Sequence, residues 1–113
     1  MRTNCSLSIL ENFFEPCVLA LLLQNPSYGY ELQKNLNKEC MCSVNMGNLY
    51  RCLARMTKQK YVIRKEKQGV AGPTQYVYTI TAKGKKYLAS WIQALAEQEK
   101  SIQKLITYYH SIV

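Results

Sequence analysis

The residues with the clearest chemistry form a polar stripe between positions 48 and 58. Asn48, Arg51, Arg55 and Lys58 follow one another at steps of three or four residues. On a helix such residues share one face. An asparagine amide can pair with an adenine edge and arginine with a guanine edge, and both can hold phosphates. The pattern predicts nucleic-acid contact if this segment is a helix; the alternative is an ordinary solvated surface.

The positive charge is concentrated around this stripe. The 113 residues hold 15 Lys and Arg against 7 acids, all of them Glu, for a formal charge of +8. Positions 51–86 contain ten basic side chains and one acid, Glu66, which gives +9, so the remaining residues sum to −1. Further candidates for phosphate contact in this segment are Lys60, Arg64, Lys65 and Lys67. Charge clustered in this way favours a polyanionic partner.

Length and composition indicate one small globular domain. Hydrophobic residues make up 48% of the chain, which is enough for a single core. The longest apolar run, Cys17–Leu23, is far short of the roughly 20 residues that span a bilayer. The amino terminus lacks a signal-peptide pattern, and five cysteines favour a reducing compartment, so we expect a cytoplasmic protein. With one His and no Asp, no acid–base pair is visible, and we expect neither an enzyme nor a cofactor.

Hydrophobic periodicity predicts two helices in the first third of the chain. The apolar residues from Leu10 to Leu22 have helical spacing. Pro16 fits best in a first turn, so residues 6–14 either form a short helix of their own or lead into a kinked one. Ser27 is the expected N-cap of a second helix that ends near Lys38. The inward face of the second helix is predicted to contain Tyr30, Leu32 or Gln33, and Leu36.

The rest of the chain predicts a third helix, a hairpin and a long fourth helix. Asn45 is the expected cap of a helix from Met46 to about Lys60. Two β-prone runs follow, Val62 to Lys67 and Gln75 to Ile80, and Thr81 caps the last helix. The buried stripe of the third helix is predicted to be Leu49, Cys52, Leu53 and Met56.

This order predicts a winged helix-turn-helix fold, which is mainly α with a small two-stranded β wing. In this arrangement the third helix enters the major groove of DNA, and the hairpin lies along the backbone or the minor groove. We expect residues 1–80 to form the DNA-binding domain. Residues 81–113 would form a dimerisation helix that packs with the N-terminal helix as one structural unit. A winged domain that bridges proteins without binding DNA is the alternative.

The last helix has a heptad pattern. Leu88, Leu95, Ile102 and Tyr109 repeat every seven residues, and Trp91, Gln98, Leu105 and Ile112 repeat three residues later. A 30-residue helix is about 45 Å long, more than the short helices before it can cover. We therefore expect a homodimer, which would read a pseudo-palindromic site in double-stranded DNA. The predicted seam consists of Leu88, Trp91, Leu95, Ile102, Leu105 and Tyr109; the alternative is a core helix folded back over residues 6–23.

Three short motifs carry a family resemblance. They are Tyr28-Gly29-Tyr30-Glu31-Leu32, then Gly47-Asn48-Leu49-Tyr50, then Tyr78-Thr79-Ile80-Thr81 with Gly84 three residues on. In this order, over roughly residues 14–95, they resemble the PadR-like transcriptional regulators. The resemblance implies a dimeric cytoplasmic repressor whose C-terminal helix makes the dimer. The short tail is similar to that of the smaller members, some of which bind flat aromatic compounds between the subunits.

The chain departs from the family pattern at several positions. The family usually has Thr or Ser where this chain has Asn48, and Pro or a small residue near Arg51, which implies that different bases are read. Many members carry an Arg/Lys pair in the wing where this chain has Thr74 and Gln75. Tyr50 matches the signature, and its hydroxyl could bond a phosphate or its ring could serve packing.

Trp91 is the only tryptophan and lies on the predicted seam. It could be the stacking platform for a planar aromatic effector, with Phe13, Phe14 and Tyr87 nearby. The alternative is a large core anchor, a role that tryptophan fills well.

The remaining candidate site is the C-x-C pair Cys40 and Cys42. Such a pair can bind soft metals or take part in thiol chemistry, which leaves a thiol- or metal-responsive sensor as an alternative. A metal site needs three or four ligands, and the one histidine, His110, lies far along the chain. Cys17 and Cys52 fall on apolar stripes and are expected to be small core residues.

Overall fold

The computed structural model describes residues 14–40, 43–67 and 75–113. In chain order the elements are α1 (Phe14–Gln24), β1 (Ser27–Tyr28), α2 (Gly29–Cys40), α3 (Met46–Lys58), β2 (Val62–Lys67), β3 (Gln75–Ile80) and α4 (Ala82–Ile112). The prediction of a mainly helical fold with a β wing is confirmed, and both wing strands have the predicted bounds. Pro16 lies in the first turn of α1, whereas the segment before Phe14 lies outside the described residues.

The wing has one strand more than the sequence predicted. The short β1 adds to the hairpin in the order β1-β3-β2, with antiparallel pairing throughout. Ser27 belongs to this strand, so its prediction as the cap of α2 is wrong: its hydroxyl donates to the Asn25 carbonyl at 3.1 Å. The cap comes from the Glu31 carboxylate, which accepts the Tyr28 N–H at 2.8 Å. The start of α2 is thereby tied to the sheet.

One apolar core joins the three short helices, the wing and the first turns of α4. The prediction for α3 is confirmed, since its four expected core residues are at most 1% exposed. On α2, Leu32 and Leu36 are fully buried, but Tyr30 is 57% exposed and was wrongly predicted to face inward. The other core residues are Cys17, Val18, Leu19, Leu22, Val62, Tyr78, Ile80 and Leu88.

Both ends of α3 are fixed by local chemistry. The Asn45 side chain accepts the Asn48 N–H at 2.8 Å, which confirms the predicted cap. The helix ends at Lys58, two residues before the predicted end, because Lys60 adopts a left-handed conformation with φ 67°. The N–H groups of Lys60 and the next residue bond back to carbonyls of the last turn. This closure turns the chain sharply from α3 into the wing.

The start of α4 is held against the exit from α3. Thr81 accepts the Gly84 N–H at 2.9 Å, as predicted for the cap. Gly84 is required there because a Cβ at this position would collide with the Tyr61 carbonyl oxygen. The first turns of α4 pack on α1, whereas every residue from 96 to 113 is exposed. None of the described helices combines the length and apolar character that a membrane span requires.

Candidate nucleic-acid interface

The polar stripe on α3 is solvent-exposed along its whole length. Asn48, Arg51, Arg55 and Lys58 are all exposed, while the opposite side of the helix fills the core. The Arg51 guanidinium donates to the Asn48 side-chain oxygen, one turn away. This bond holds the Asn48 amide and the Arg51 guanidinium side by side at the amino-terminal end of α3. A paired amide and guanidinium can present several N–H donors to base edges or phosphates.

Arg55 differs from its neighbours on the stripe. Its guanidinium forms an ion pair with the Glu15 carboxylate at 2.7 Å, with the two side chains 50% and 8% exposed. Part of its donor set is therefore used inside the protein. Contact between Arg55 and DNA stays a prediction, and it would have to use the remaining N–H groups or break the pair.

Glu15 is a buried carboxylate that links its own helix to two others. It lies on α1 and accepts hydrogen bonds from Arg55 on α3 at 2.7 Å, and from Tyr87 at 2.5 Å and Trp91 at 3.3 Å on α4. Burial alone would raise the pKa of Glu15, but the bonds from Arg55, Tyr87 and Trp91 outweigh it and leave the pKa lowered. Burial and the bond to Glu15 raise the pKa of Tyr87. The carboxylate is thus ionised at neutral pH and linked to both α3 and α4.

The wing continues the basic surface. Side chains alternate along a strand, so Lys65 and Lys67 share one face of β2 and Arg64 lies on the other. All three side chains are exposed. The Arg64 guanidinium carbon lies 4.1 Å from the centre of the Tyr76 ring, in cation–π geometry. Burial raises the pKa of Tyr78, and a hydrogen bond from Arg64 opposes this rise.

A small cavity lined by tyrosines lies where α2, α3 and β3 meet. Its volume is about 180 Å³. A Cβ at Gly29 would lie 2.6 Å from the Tyr50 hydroxyl oxygen, so the glycine allows the Tyr50 ring to pack closely. Tyr50 is nevertheless 47% exposed, which is compatible with both of its predicted roles. The lining residues are Tyr28, Gly29, Tyr30, Tyr50, Gln75, Tyr76 and Tyr78.

Two other predicted phosphate contacts lie at the end of α3. The side chains of Lys58 and Lys60 are exposed. The backbone carbonyl of Lys60 accepts the Thr81 hydroxyl at 2.7 Å, which joins this turn to the start of α4. Lys58 and Lys60 therefore border the same surface as the stripe and the wing.

The residues predicted to bind an effector are only partly brought together. Trp91 is half-buried and bonded to Glu15, and Tyr87 stacks on Tyr61 with ring centres 4.0 Å apart. A shallow depression of about 290 Å³ is lined by Tyr87, Ser90, Trp91 and Ala94. Phe14 is half-buried against the core, and Phe13 lies outside the described residues.

The predicted dimer seam divides into two parts. Leu88 is 5% exposed and packs in the core of its own chain, which removes it from the surface open to a partner. Leu95, like Trp91, is half-buried. Farther along α4 the apolar side chains are uncovered: Ile102 is 45%, Leu105 66% and Tyr109 55% exposed.

The cysteines give no metal centre within the described residues. Cys40 is half-buried at the end of α2 and Cys42 lies outside the described part of the chain. No group of three or more potential ligands occurs among residues 14–40, 43–67 and 75–113. Cys17 and Cys52 are buried, as predicted. Burial, with the nearby Glu15 charge, raises the pKa of the Cys52 thiol to about 12.

Sequence reasoning missed Glu15 and the tyrosine cavity. Glu15 is the only charged residue of α1, and an acid within so apolar a helix was the available signal. The signal for the cavity was the count of nine tyrosines in 113 residues. Neither signal specifies which distant residues meet.

Three helices, an exposed basic stripe on the third and a β wing define a winged helix-turn-helix protein. The model of the "Transcriptional regulator PadR-like family" matches residues 18–90. A PadR-like regulator from Bacillus cereus is 32% identical, covers 88% of this chain and 97% of its own, and has a TM-score of 0.75. A transcriptional regulator from Clostridium thermocellum is 26% identical over 88% of this chain and 95% of its own, with a TM-score of 0.79.

Bacillus subtilis PadR, solved in complex with operator DNA, shares the fold. It is 21% identical over 71% of this chain and 46% of its own, with a TM-score of 0.66. No curated protein matches the sequence. The chain belongs to the PadR-like family of transcriptional regulators. These proteins are regulators rather than enzymes, which confirms the prediction that the chain is not an enzyme.

Proposed function

We propose that this chain is a homodimeric repressor that binds a pseudo-palindromic site in double-stranded DNA and acts in the cytoplasm. The observation that carries the proposal is the exposed Asn48–Arg51 pair on α3, beside a wing of the same charge. Residues 51–67 contain seven basic side chains and one acid. Residues 1–80 would form the DNA-binding part and residues 81–113 the dimerisation helix.

The proposed contacts fall into two groups. Asn48 and Arg51 are suited to base edges in the major groove, because each can form bidentate hydrogen bonds. The side chains around them, all basic except for one tyrosine, would hold phosphates and so fix the orientation of α3 without reading sequence. This second group consists of Tyr50, Arg55, Lys58, Lys60, Arg64, Lys65 and Lys67. The operator complex of Bacillus subtilis PadR, which shares this fold, supports DNA as the partner.

The exposed apolar face of α4 supports the proposed dimer. Ile102, Leu105 and Tyr109 are about half exposed or more on a helix that extends beyond the body of the chain. A continuous apolar face of this kind is typical of a protein–protein interface. A second copy of α4, with Trp91 and Leu95 at the inner end of the seam, would cover it.

A planar aromatic effector is the proposed ligand of the depression beside Trp91. Its lining combines the Trp91 and Tyr87 rings with small side chains. In a dimer, a second copy of this surface could close the depression and allow a flat ring to stack. Such a ligand would release DNA if it bound one arrangement of the two subunits better than another.

The experiment is selection of DNA from a pool of random duplexes by the purified protein. The proposal predicts enrichment of an inverted repeat whose half-sites lie about one helical turn, roughly 34 Å, apart. Arg51→Ala provides the control, because it should enrich the site weakly while remaining folded. A pool without enrichment would contradict DNA reading and favour the interaction module. An enriched site without symmetry would contradict the dimer.

A further inference from the structure

We propose that Glu15 is a positioning residue that couples α3 to the Tyr87–Trp91 surface of α4, so that this surface sets how tightly DNA is held. The inference rests on the proposed DNA-binding function. It assigns a role to a buried residue of α1 that is bonded to the exposed stripe of α3 but is not part of it.

The contacts of Glu15 come from two different regions. One carboxylate oxygen accepts the Arg55 guanidinium at 2.7 Å. The other accepts the Tyr87 hydroxyl at 2.5 Å and the Trp91 indole N–H at 3.3 Å. The donors lie 40, 72 and 76 residues away in sequence. One carboxylate therefore connects the DNA-facing stripe with the depression proposed for the effector.

Because the Glu15 carboxylate is buried, the loss of any one of its hydrogen-bond donors should affect the bonds to the others. The Glu15 side chain is only 8% exposed, and the rest of α1 is uncharged. A buried charge needs its hydrogen-bond partners, because water is not there to replace them. When a donor on α4 is lost or turned away, the carboxylate must shift toward the donors that remain. Arg55, which is half exposed, is the partner with the most freedom to follow.

Arg55 carries the effect to the DNA-binding surface. It lies one turn after Arg51 on the same face of α3. A guanidinium bonded to Glu15 has its remaining N–H groups in place for a phosphate. When the carboxylate moves after the loss of a donor on α4, Arg55 moves with it, and these N–H groups must be brought back into place when DNA binds, which weakens affinity.

The chain offers a matched pair of variants on two stacked rings. Tyr87 and Tyr61 lie 4.0 Å apart with an interplanar angle of 2°. Tyr87 donates to Glu15, whereas within the described residues the Tyr61 hydroxyl has no hydrogen-bond partner. Tyr87→Phe and Tyr61→Phe each remove one hydroxyl and keep the ring stack. Only the first changes the contacts of Glu15.

The test is the affinity of each variant for the duplex selected by the wild-type protein, measured well below the unfolding temperature. Tyr87→Phe should weaken binding about three- to tenfold, and Tyr61→Phe should stay within twofold of wild type. In the Glu15→Gln background the same Tyr87→Phe change should have less than a twofold effect, because the ionised acceptor is gone. Trp91→Phe, which removes the indole N–H, should also weaken binding more than Tyr61→Phe does.

Two results would overturn the coupling. One is equal affinity of Tyr87→Phe, Trp91→Phe and Tyr61→Phe. The other is an undiminished Tyr87→Phe effect in the Glu15→Gln background, which would assign the effect to packing of α4.

A second measurement separates this inference from DNA binding itself. In NMR spectra of the free protein, Tyr87→Phe should shift the Arg55 side-chain N–H and the Trp91 indole N–H, and Tyr61→Phe should leave the Arg55 signal in place. If the wild type binds no duplex but these shifts appear, the proposed function fails and the link through Glu15 stands. If the Arg55 signal is unmoved by Tyr87→Phe, the link fails whether or not DNA binds.

Discussion

Two exposed surfaces of this chain differ in chemistry. The surface formed by α3 and β2 is basic, with seven Lys and Arg and one acid in residues 51–67. The second half of α4, residues 98–112, has two Lys and one Glu, and it exposes large apolar side chains such as Leu105. The first is suited to a polyanion, whose affinity comes largely from phosphate contacts. The second is suited to another apolar surface. Exposure alone thus does not define function; the type of side chain that is exposed does.

The largest effect is expected from a mutation that disrupts the exposed apolar face of α4. Leu105→Glu would place two like charges at the seam of a two-fold dimer, so the protein should become monomeric at micromolar concentration. Operator affinity should fall about 10²- to 10⁴-fold, because the two half-sites would be bound independently. Analytical sedimentation and a binding titration measure the two effects.

Thr107→Glu is the control for this change. Thr107 lies two residues after Leu105, about 200° further around the helix and so on nearly the opposite side. A charge at this position should therefore be tolerated. If Leu105→Glu remained dimeric, the apolar face of α4 would not be the seam.

The second prediction separates two arginines on the basic surface. Arg51→Ala should cost about 1–3 kcal/mol of operator binding and leave the free energy of unfolding nearly unchanged. Arg55→Ala should lower the free energy of unfolding by about 1–2 kcal/mol, because Glu15 loses a charged partner that is itself half exposed. Chemical denaturation and operator titration together test this split. If Arg51→Ala lowered the free energy of unfolding and Arg55→Ala did not, the ion pair between Arg55 and Glu15 would be contradicted.

The third prediction concerns the stability of the protein in acid, which should depend on Glu15. The pKa of folded Glu15 is lowered, so its contribution to stability is fully present above the unfolded pKa of about 4.3. It is lost as the pH falls through the folded pKa. Denaturation between about pH 7 and pH 3 should therefore show a smaller pH dependence in Glu15→Gln, which is also less stable at neutral pH. Equal slopes in the two proteins would contradict an ionised, bonded carboxylate.

The fourth prediction compares one lysine from each region and has the smallest effect. Lys65 on the wing and Lys104 on α4 are both exposed, and each loses one positive charge on mutation to alanine. Lys65→Ala should reduce operator affinity a few-fold across all sequences and reduce the magnitude of the salt slope by about 2, because each protomer loses one phosphate contact. Lys104→Ala should change neither. Equal effects would mean that only net charge matters.

Local signals predicted most of the fold and part of the site. The Asn45 and Thr81 caps and both wing strands follow from side chains within a few residues, and the structure has them where the sequence indicates. The exposed stripe on α3 follows from helical spacing in the same way. Features that depend on distant contacts were missed. The strand β1 exists because it pairs with β3, about 50 residues later, and Tyr30 is exposed although its spacing suited the core.

Glu15 shows the same limit within the site. Helical spacing in α1 does not reveal which donors will surround a carboxylate, because its partners lie on α3 and α4. Helical spacing placed four polar residues on one face of α3 but did not distinguish between them. It therefore could not predict that Arg55 forms an ion pair.

The most direct test of the central claim is the salt dependence of operator binding by the wild-type protein. If the six basic side chains proposed to hold phosphates, from Arg55 to Lys67, do so in both protomers, the logarithm of the association constant should fall with the logarithm of salt concentration with a slope of about −11. A random duplex should bind more weakly but with a comparable dependence. A flat response to salt would contradict the assignment of the α3 and wing surface to DNA.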